Sequence, residues 1–181
     1  MRAILVPAEL PPSALAELKQ WLGITTEYDD IPLTALLRAG LDICEAFTGL
    51  IPIEAGYEEV LARSSGWQTL ASRPVQAITS LEALAADGTR TALDVDDHAI
   101  ELDADGAGRF RVTAPGDESR IAVQFTAGLA PDWDSLPGAL RHGIIRLAAH
   151  QHRERETSGP GPLPPAAIAA LWRPWRRMRM A

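Results

Sequence analysis

Asp29-Asp-Ile-Pro-Leu-Thr-Ala-Leu-Leu-Arg-Ala-Gly-Leu-Asp-Ile-Cys-Glu-Ala-Phe-Thr-Gly49 decides the fold class. Its apolar residues Leu33, Leu36, Leu37, Leu41, Cys44 and Phe47 recur at steps of three and four, the spacing of one face of an α-helix. Asp29 and Asp30 suit a helix start, where acids meet the positive end of the dipole, and Pro32 is tolerated in a first turn. Thr48-Gly49 supplies the stop. Cys44 lies on the apolar stripe, so it reads as core filler rather than a reactive thiol.

Upstream, Ser13 after Pro11-Pro12 reads as a helix cap, with Leu15, Leu18, Trp21 and Leu22 at helical spacing. Downstream, from about Glu58 to Leu129, the period changes to two. Val75, Ala77 and Thr79 alternate with Gln76, Ile78 and Ser80; Phe110 and Val112 with Arg109 and Arg111; Ile121, Val123 and Phe125 with Arg120, Gln124 and Thr126. Turn signals separate these runs at Ala86–Gly88, Asp94–Asp97, Asp103–Gly106 and Pro115–Asp117, which predicts a short-stranded antiparallel meander or small sandwich. Leu136-Pro137 then opens a third helix running to about Glu156, with Leu140, Ile144, Leu147 and Ala148 inward. The fold class is therefore α+β: a helical core from 1–57 and 132–157, a β-rich insertion from 58–131, and a terminal segment from 158–181.

That terminal segment starts with the Pro/Gly-rich linker Ser158–Pro165 and ends in Trp172, Arg173, Trp175, Arg176, Arg177 and Arg179, with no acid after Glu156. Trp and Arg dominate interface hot spots, so these six are the candidate binding residues. Two forms fit: an arm reaching another surface, or a terminal helix folded onto its own domain.

Composition narrows the class. The 181 residues are 46% hydrophobic and 23% charged, as in ordinary globular proteins. The single cysteine allows no internal disulfide and fits a reducing compartment. Met1–Val6 is too short for a signal peptide and no apolar run reaches membrane-span length, so synthesis in a cytoplasm and no membrane association are expected. Net charge is –7, distributed as –5 over residues 1–81, –7 over 82–118 and +5 over 119–181. An acidic body argues against a module that grips nucleic acid, because such grip comes from cationic side chains on phosphates.

Enzyme signatures are missing. Asp103-Ala-Asp105-Gly106 resembles the start of a calcium loop but lacks the distal Glu, with Ala114 in that place; a hairpin turn accounts for it. His142, His150 and His152 have neither the spacing nor the partners of a zinc set. Gly106-Ala-Gly108 lacks the third glycine of a dinucleotide loop, and there is no nucleophile elbow or Walker loop. No cofactor or metal is expected. The one enzymatic alternative is a carboxylate-dependent enzyme using Asp96, Asp97 and Glu101 from a cleft.

Ala16-Glu-Leu-Lys-Gln-Trp-Leu-Gly-Ile24, Asp29-Asp30 and Cys44-Glu-Ala-Phe-Thr-Gly49 resemble the opening of head–tail connector (adaptor) proteins of tailed phages and gene transfer agents. The resemblance continues through Gly66-Trp-Gln-Thr-Leu70, Arg73-Pro-Val75, Phe125-Thr-Ala-Gly128, Pro131, Leu136-Pro137, Ala148-Ala-His150 and Arg153-Glu154, and closes with Ala170-Leu-Trp-Arg-Pro-Trp-Arg-Arg-Met-Arg179. It departs at His150-Gln-His152, where such proteins often carry an aromatic, and at Trp175, where Tyr is common.

What the resemblance implies is a non-enzymatic subunit, made in the bacterial cytoplasm and placed at the head–tail junction of the virion or virus-like particle. It would form a homo-oligomeric ring, usually of twelve, under the portal. DNA passes through such a ring without specific binding. The terminal segment would bind the portal, and a stopper or tail-terminator protein would dock on the tail side, with the β-rich insertion on the rim. A stopper or tail-terminator ring is the neighbouring alternative.

Overall fold

A run of short strands between the second and third of four α-helices sorts the chain into two units in the computed structural model, which describes residues 2–154 and 164–176. One unit comprises Met1–Ala8 with Glu54–Gly128, the other Glu9–Ile53 with Leu129–Ala181. The described residues form an α+β protein with four α-helices and two antiparallel sheets. No described helix is long and apolar enough to cross a membrane.

The β unit contains β1 (Arg2–Val6), β2 (Ala55–Ala62), β3 (Gln68–Thr69), β4 (Val75–Leu84), β5 (Arg90–Ala92), β6 (His98–Leu102), β7 (Gly108–Val112) and β8 (Arg120–Ala127). Five strands pair in the order β1-β2-β8-β4-β5, three in the order β3-β7-β6. Strand β8 is central, and Ile121, Ala122 and Val123 are buried in succession, so both of its faces are covered. It pairs with β2 without interruption from Ala55↔Ala127 to Ala62↔Arg120. Tyr57 stacks on Phe125 with ring centroids 5.8 Å apart, while the Arg2 guanidinium lies 5.1 Å from the centre of the Tyr57 ring.

Two expectations change here. Residues 2–6 do not join the helical core of 1–57; they form β1, because Arg2–Val6 pairs antiparallel with Gly56–Glu59. In β4 the alternation fails at its start: Val75 is buried but Ala77 and Thr79 are exposed. Bulges between Val75 and Ala77 and between Ile78 and Ser80 each move the following side chains to the other face, after which Leu81 and Ala83 point inward. The hairpin at Asp103–Gly106 is as read: Gly106 takes φ +79°, its N–H donates to the Asp103 carbonyl at 2.9 Å, and β6 pairs with β7. Asp94–Asp97, read as a turn, contains one turn of 3-10 helix at Val95–Asp97.

Two buried carboxylates are satisfied inside the β unit. Arg90 donates to both oxygens of Glu58 at 2.6 and 3.0 Å, which holds the Glu58 carboxyl below its ordinary range. The Glu59 carboxylate accepts the N–H groups of Ala71 and Ser72 at 3.0 Å and the Ser72 hydroxyl at 2.8 Å.

The helical unit holds α1 (Pro12–Leu22), α2 (Asp30–Thr48), α3 (Gly138–Glu154) and α4 (Ala166–Trp172). Helix α1 begins one residue before the expected cap. Pro11 is its N-cap and the Ser13 hydroxyl donates to Asp134 at 3.2 Å. Helix α2 follows the sequence reading closely, ending at Gly49 in the left-handed conformation, φ +75°. Its innermost line is Leu33, Leu37, Gly40, Cys44 and Thr48, so Leu36, Leu41 and Phe47 are half-buried rather than buried. Gly40 sets the contact with α3: a Cβ there would lie 3.1 Å from Ile144 Cγ2. Burial pushes the Cys44 thiol up to about 12, which leaves it protonated and inert at neutral pH. Helix α3 places Leu140, Ile144, Leu147 and Ala148 inside, as its spacing predicts. The expected end at Glu156 lies outside the described residues.

Candidate assembly site

The terminal segment is built from the alanine-rich α4, started by Pro165 at its N-cap, followed by one turn of 3-10 helix at Arg173–Trp175. Small residues let α4 approach α3 closely, and the two anchors, Ile168 and Trp172, are 3% and 0% exposed. Trp172 fits because α3 offers Gly143 opposite it; a Cβ on Gly143 would land on the indole nitrogen. The indole N–H points to the Leu140 carbonyl at 3.4 Å, and the ring lies 6.0 Å from Phe47 at a tilt of 52°. Arg176 then folds over the outer face of Phe47, its guanidinium 5.4 Å from the ring centre.

Residues 164–176 are therefore not a free arm. Trp172 belongs to the core of the helical unit, since an indole with no exposed surface cannot also anchor a partner. Among the remaining candidates, Arg173 and Arg176 are exposed and Trp175 is half-buried. Arg177, Arg179 and linker residues 158–163 lie outside the described residues.

The acids of the enzymatic alternative line neither of the two hollows that flank Trp21. Asp96 and Asp97 sit on the 3-10 turn, where their carbonyls accept hydrogen bonds from Thr113 and, at Asp97, also from Ala114. Glu101 is on β6, facing Arg109 at 3.3 Å. Among the described residues, no three His, Cys, Asp or Glu side chains group as a metal site would require.

A second surface of the helical unit escaped the sequence reading. Trp21 is 46% exposed at the end of α1 and meets His142 edge-on at 5.2 Å. Two shallow hollows, of about 460 and 220 Å³, flank the indole. Farther along the chain, Tyr28 is 92% and Ile31 86% exposed. The signal for these was present: Trp21 and Leu22 are adjacent and so about 100° apart around α1, too far to share the narrow face of Ala14 and Leu18, and Tyr28 lies among acids in a loop.

Comparisons with solved structures agree across the whole chain. It is similar to a chain of the neck of an empty gene transfer agent particle computed with C6 symmetry, with 26% identity, a TM-score of 0.79, and coverage of 100% of this chain and 97% of that one. A chain from the virion of a native gene transfer agent particle gives 26% identity and a TM-score of 0.75, covering 100% and 97%. The neck of a native particle computed with C12 symmetry gives 27% and 0.74, covering 99% and 97%. No family model and no curated protein matches the chain. The solved structures bear out the resemblance to gene transfer agent head–tail connectors drawn from the residues.

Proposed function

We infer that this chain, a structural head–tail connector of the gene transfer agent type resident in the virion or virus-like particle, is one subunit of a ring beneath the portal. The observation that carries this is the end-to-end likeness to chains of necks computed with C6 and C12 symmetry. The role is structural rather than enzymatic, which agrees with the pairing of Glu101 to Arg109.

Ring closure leaves a central passage for DNA. The acidic balance of the chain, –7 in all, supports a passage whose wall repels phosphates and lets the duplex slide. On the portal side the contact is made by Arg173, Trp175 and Arg176, continued by Arg177 and Arg179. Trp172 holds the base of that segment in place. The tail side receives a stopper or tail-terminator protein.

Mixing the chain with the portal protein of its own particle and sizing the product tests this. A complex larger than the portal alone, weakened by raised salt because the segment is cationic, is the expected result. A chain that leaves the portal unchanged at every ratio refutes the proposal.

A further inference from the structure

Ring closure needs two different patches on each subunit that fit one another, because only a head-to-tail contact propagates around a cyclic axis. The helical unit carries such a pair. The first patch is the groove around Trp21, whose indole stands open between the two hollows. Its α3 side is basic: Arg146 and Arg153 line the smaller hollow, and neither has an acidic partner among the described residues. Arg141, by contrast, is already engaged by Glu17 at 3.6 Å and His150 by Glu154 at 3.1 Å.

The second patch is Glu27-Tyr28-Asp29-Asp30-Ile31, where α1 gives way to α2. Tyr28 and Ile31 are among the most exposed large apolar side chains of the described residues. Asp30 is held by Lys19 at 2.6 Å, while Glu27 and Asp29 have no cationic partner among the described residues. The segment is thus an aromatic and aliphatic knob flanked by two uncompensated acids. At 92% exposure Tyr28 cannot be filling the groove of its own chain, so the knob is available to another copy.

We propose that neighbouring subunits join by seating Glu27–Ile31 of one copy in the Trp21 groove of the next. Tyr28 packs against the Trp21 indole, Ile31 fills apolar space beside it, and Glu27 and Asp29 meet Arg146 and Arg153. Aromatic anchors surrounded by complementary charge are the arrangement that concentrates binding energy and fixes register. This contact rests on the connector reading and adds the residues that would close its ring.

Charge exchange tests it. Glu27→Lys with Asp29→Lys makes a cationic knob; Arg146→Glu with Arg153→Glu makes an anionic groove. Either protein alone, added to portal-bearing heads, should associate with itself on the order of a hundredfold more weakly than the wild type. An equimolar mixture should recover rings, since alternation around an even-membered ring restores every opposite-charge contact. An equimolar mixture of a Thr26→Cys and a Gln20→Cys protein, both keeping Tyr28 and Trp21, should form disulfides between copies in rings, with buried Cys44 not competing; this arm holds even if a charge variant fails to fold. Rings formed equally well by each charge variant alone, no recovery on mixing, or rings without the cross-link would overturn the contact while leaving the ring intact. Wild-type protein that never exceeds a monomer on the portal would overturn the connector reading together with the contact.

Discussion

Trp21 and Trp172 meet consecutive residues of α3 and come to opposite ends. Trp172 has Gly143 opposite it, sinks to full burial, and aims its N–H at a helix carbonyl. Trp21 has His142 opposite it, remains half open, and borders two hollows. A tryptophan in a sequence is equally consistent with core and interface; what decides is the volume of the residue it faces. The helical unit thus uses one indole to tie down its terminal segment and keeps the other for a surface.

The sharpest way to break this contrast is to remove the buried ring. Trp172→Ala should cost about 3–5 kcal/mol in chemical denaturation of the helical unit, the range for a large aromatic taken from a packed core. Ending the chain after Gly159 removes both Ile168 and Trp172 and should destabilise at least as much. A loss below about 1 kcal/mol for either would return the terminal segment to the status of a loose arm.

Phe47 sharpens it from the side, being half-buried between Trp172 and Arg176. Phe47→Ala should cost about 2 kcal/mol, less than a fully buried phenylalanine, because one face already meets the Arg176 guanidinium rather than core. A loss of 4 kcal/mol or more, on the scale of a fully buried ring, would mean that Phe47 is core and Arg176 incidental.

Much of this was legible in the sequence. The helix over 30–48, the inward line of α3 and the hairpin at Asp103–Gly106 all follow from periods and turn residues within a few positions of one another. What could not be read depends on partners distant in sequence. The pairing of β1 with β2 joins residues 2–6 to 56–59. Bulges in β4 are set by the strand beside it. The burial of Trp172 rests on Gly143, twenty-nine positions earlier, so a basic aromatic tail behind a Pro/Gly linker resembles an arm until its facing glycine is known.

The β unit offers the charged version of the same contrast: Glu58 is buried and paired to Arg90, while Glu101 pairs to Arg109 at the surface. Arg90→Met should lower stability at neutral pH, because it removes the two hydrogen bonds that Arg90 donates to the Glu58 carboxylate. The hydrogen bonds from Arg90 lower the folded-state pKa of Glu58, so their stabilisation is complete above the unfolded carboxylate value of about 4.3 and is lost as pH falls through the lower folded value. The gap between wild type and variant should therefore be constant from neutral pH to about 5 and close as the solution is acidified further. A gap that stays the same down to pH of about 2 would show that Arg90 acts by packing alone.

The smallest stability effect belongs to Trp21, and it carries the most about assembly. Its indole buries only part of its area and makes one edge contact, so Trp21→Ala should shift unfolding by less than about 1 kcal/mol. Trp172→Ala and Trp21→Ala then separate two properties. The first lowers stability and weakens assembly only through the unfolded fraction, an effect that extra protein or lower temperature repairs. The second leaves the monomer folded and weakens its association with other copies by about 2 kcal/mol or more, as for an interface anchor. Sedimentation of each variant with portal-bearing heads, paired with denaturation of the free chain, measures both quantities on the same samples. Trp21→Ala protein that unfolds early but assembles normally would reverse the assignment, making the open indole a structural residue and leaving the hollows beside it without a role in the ring.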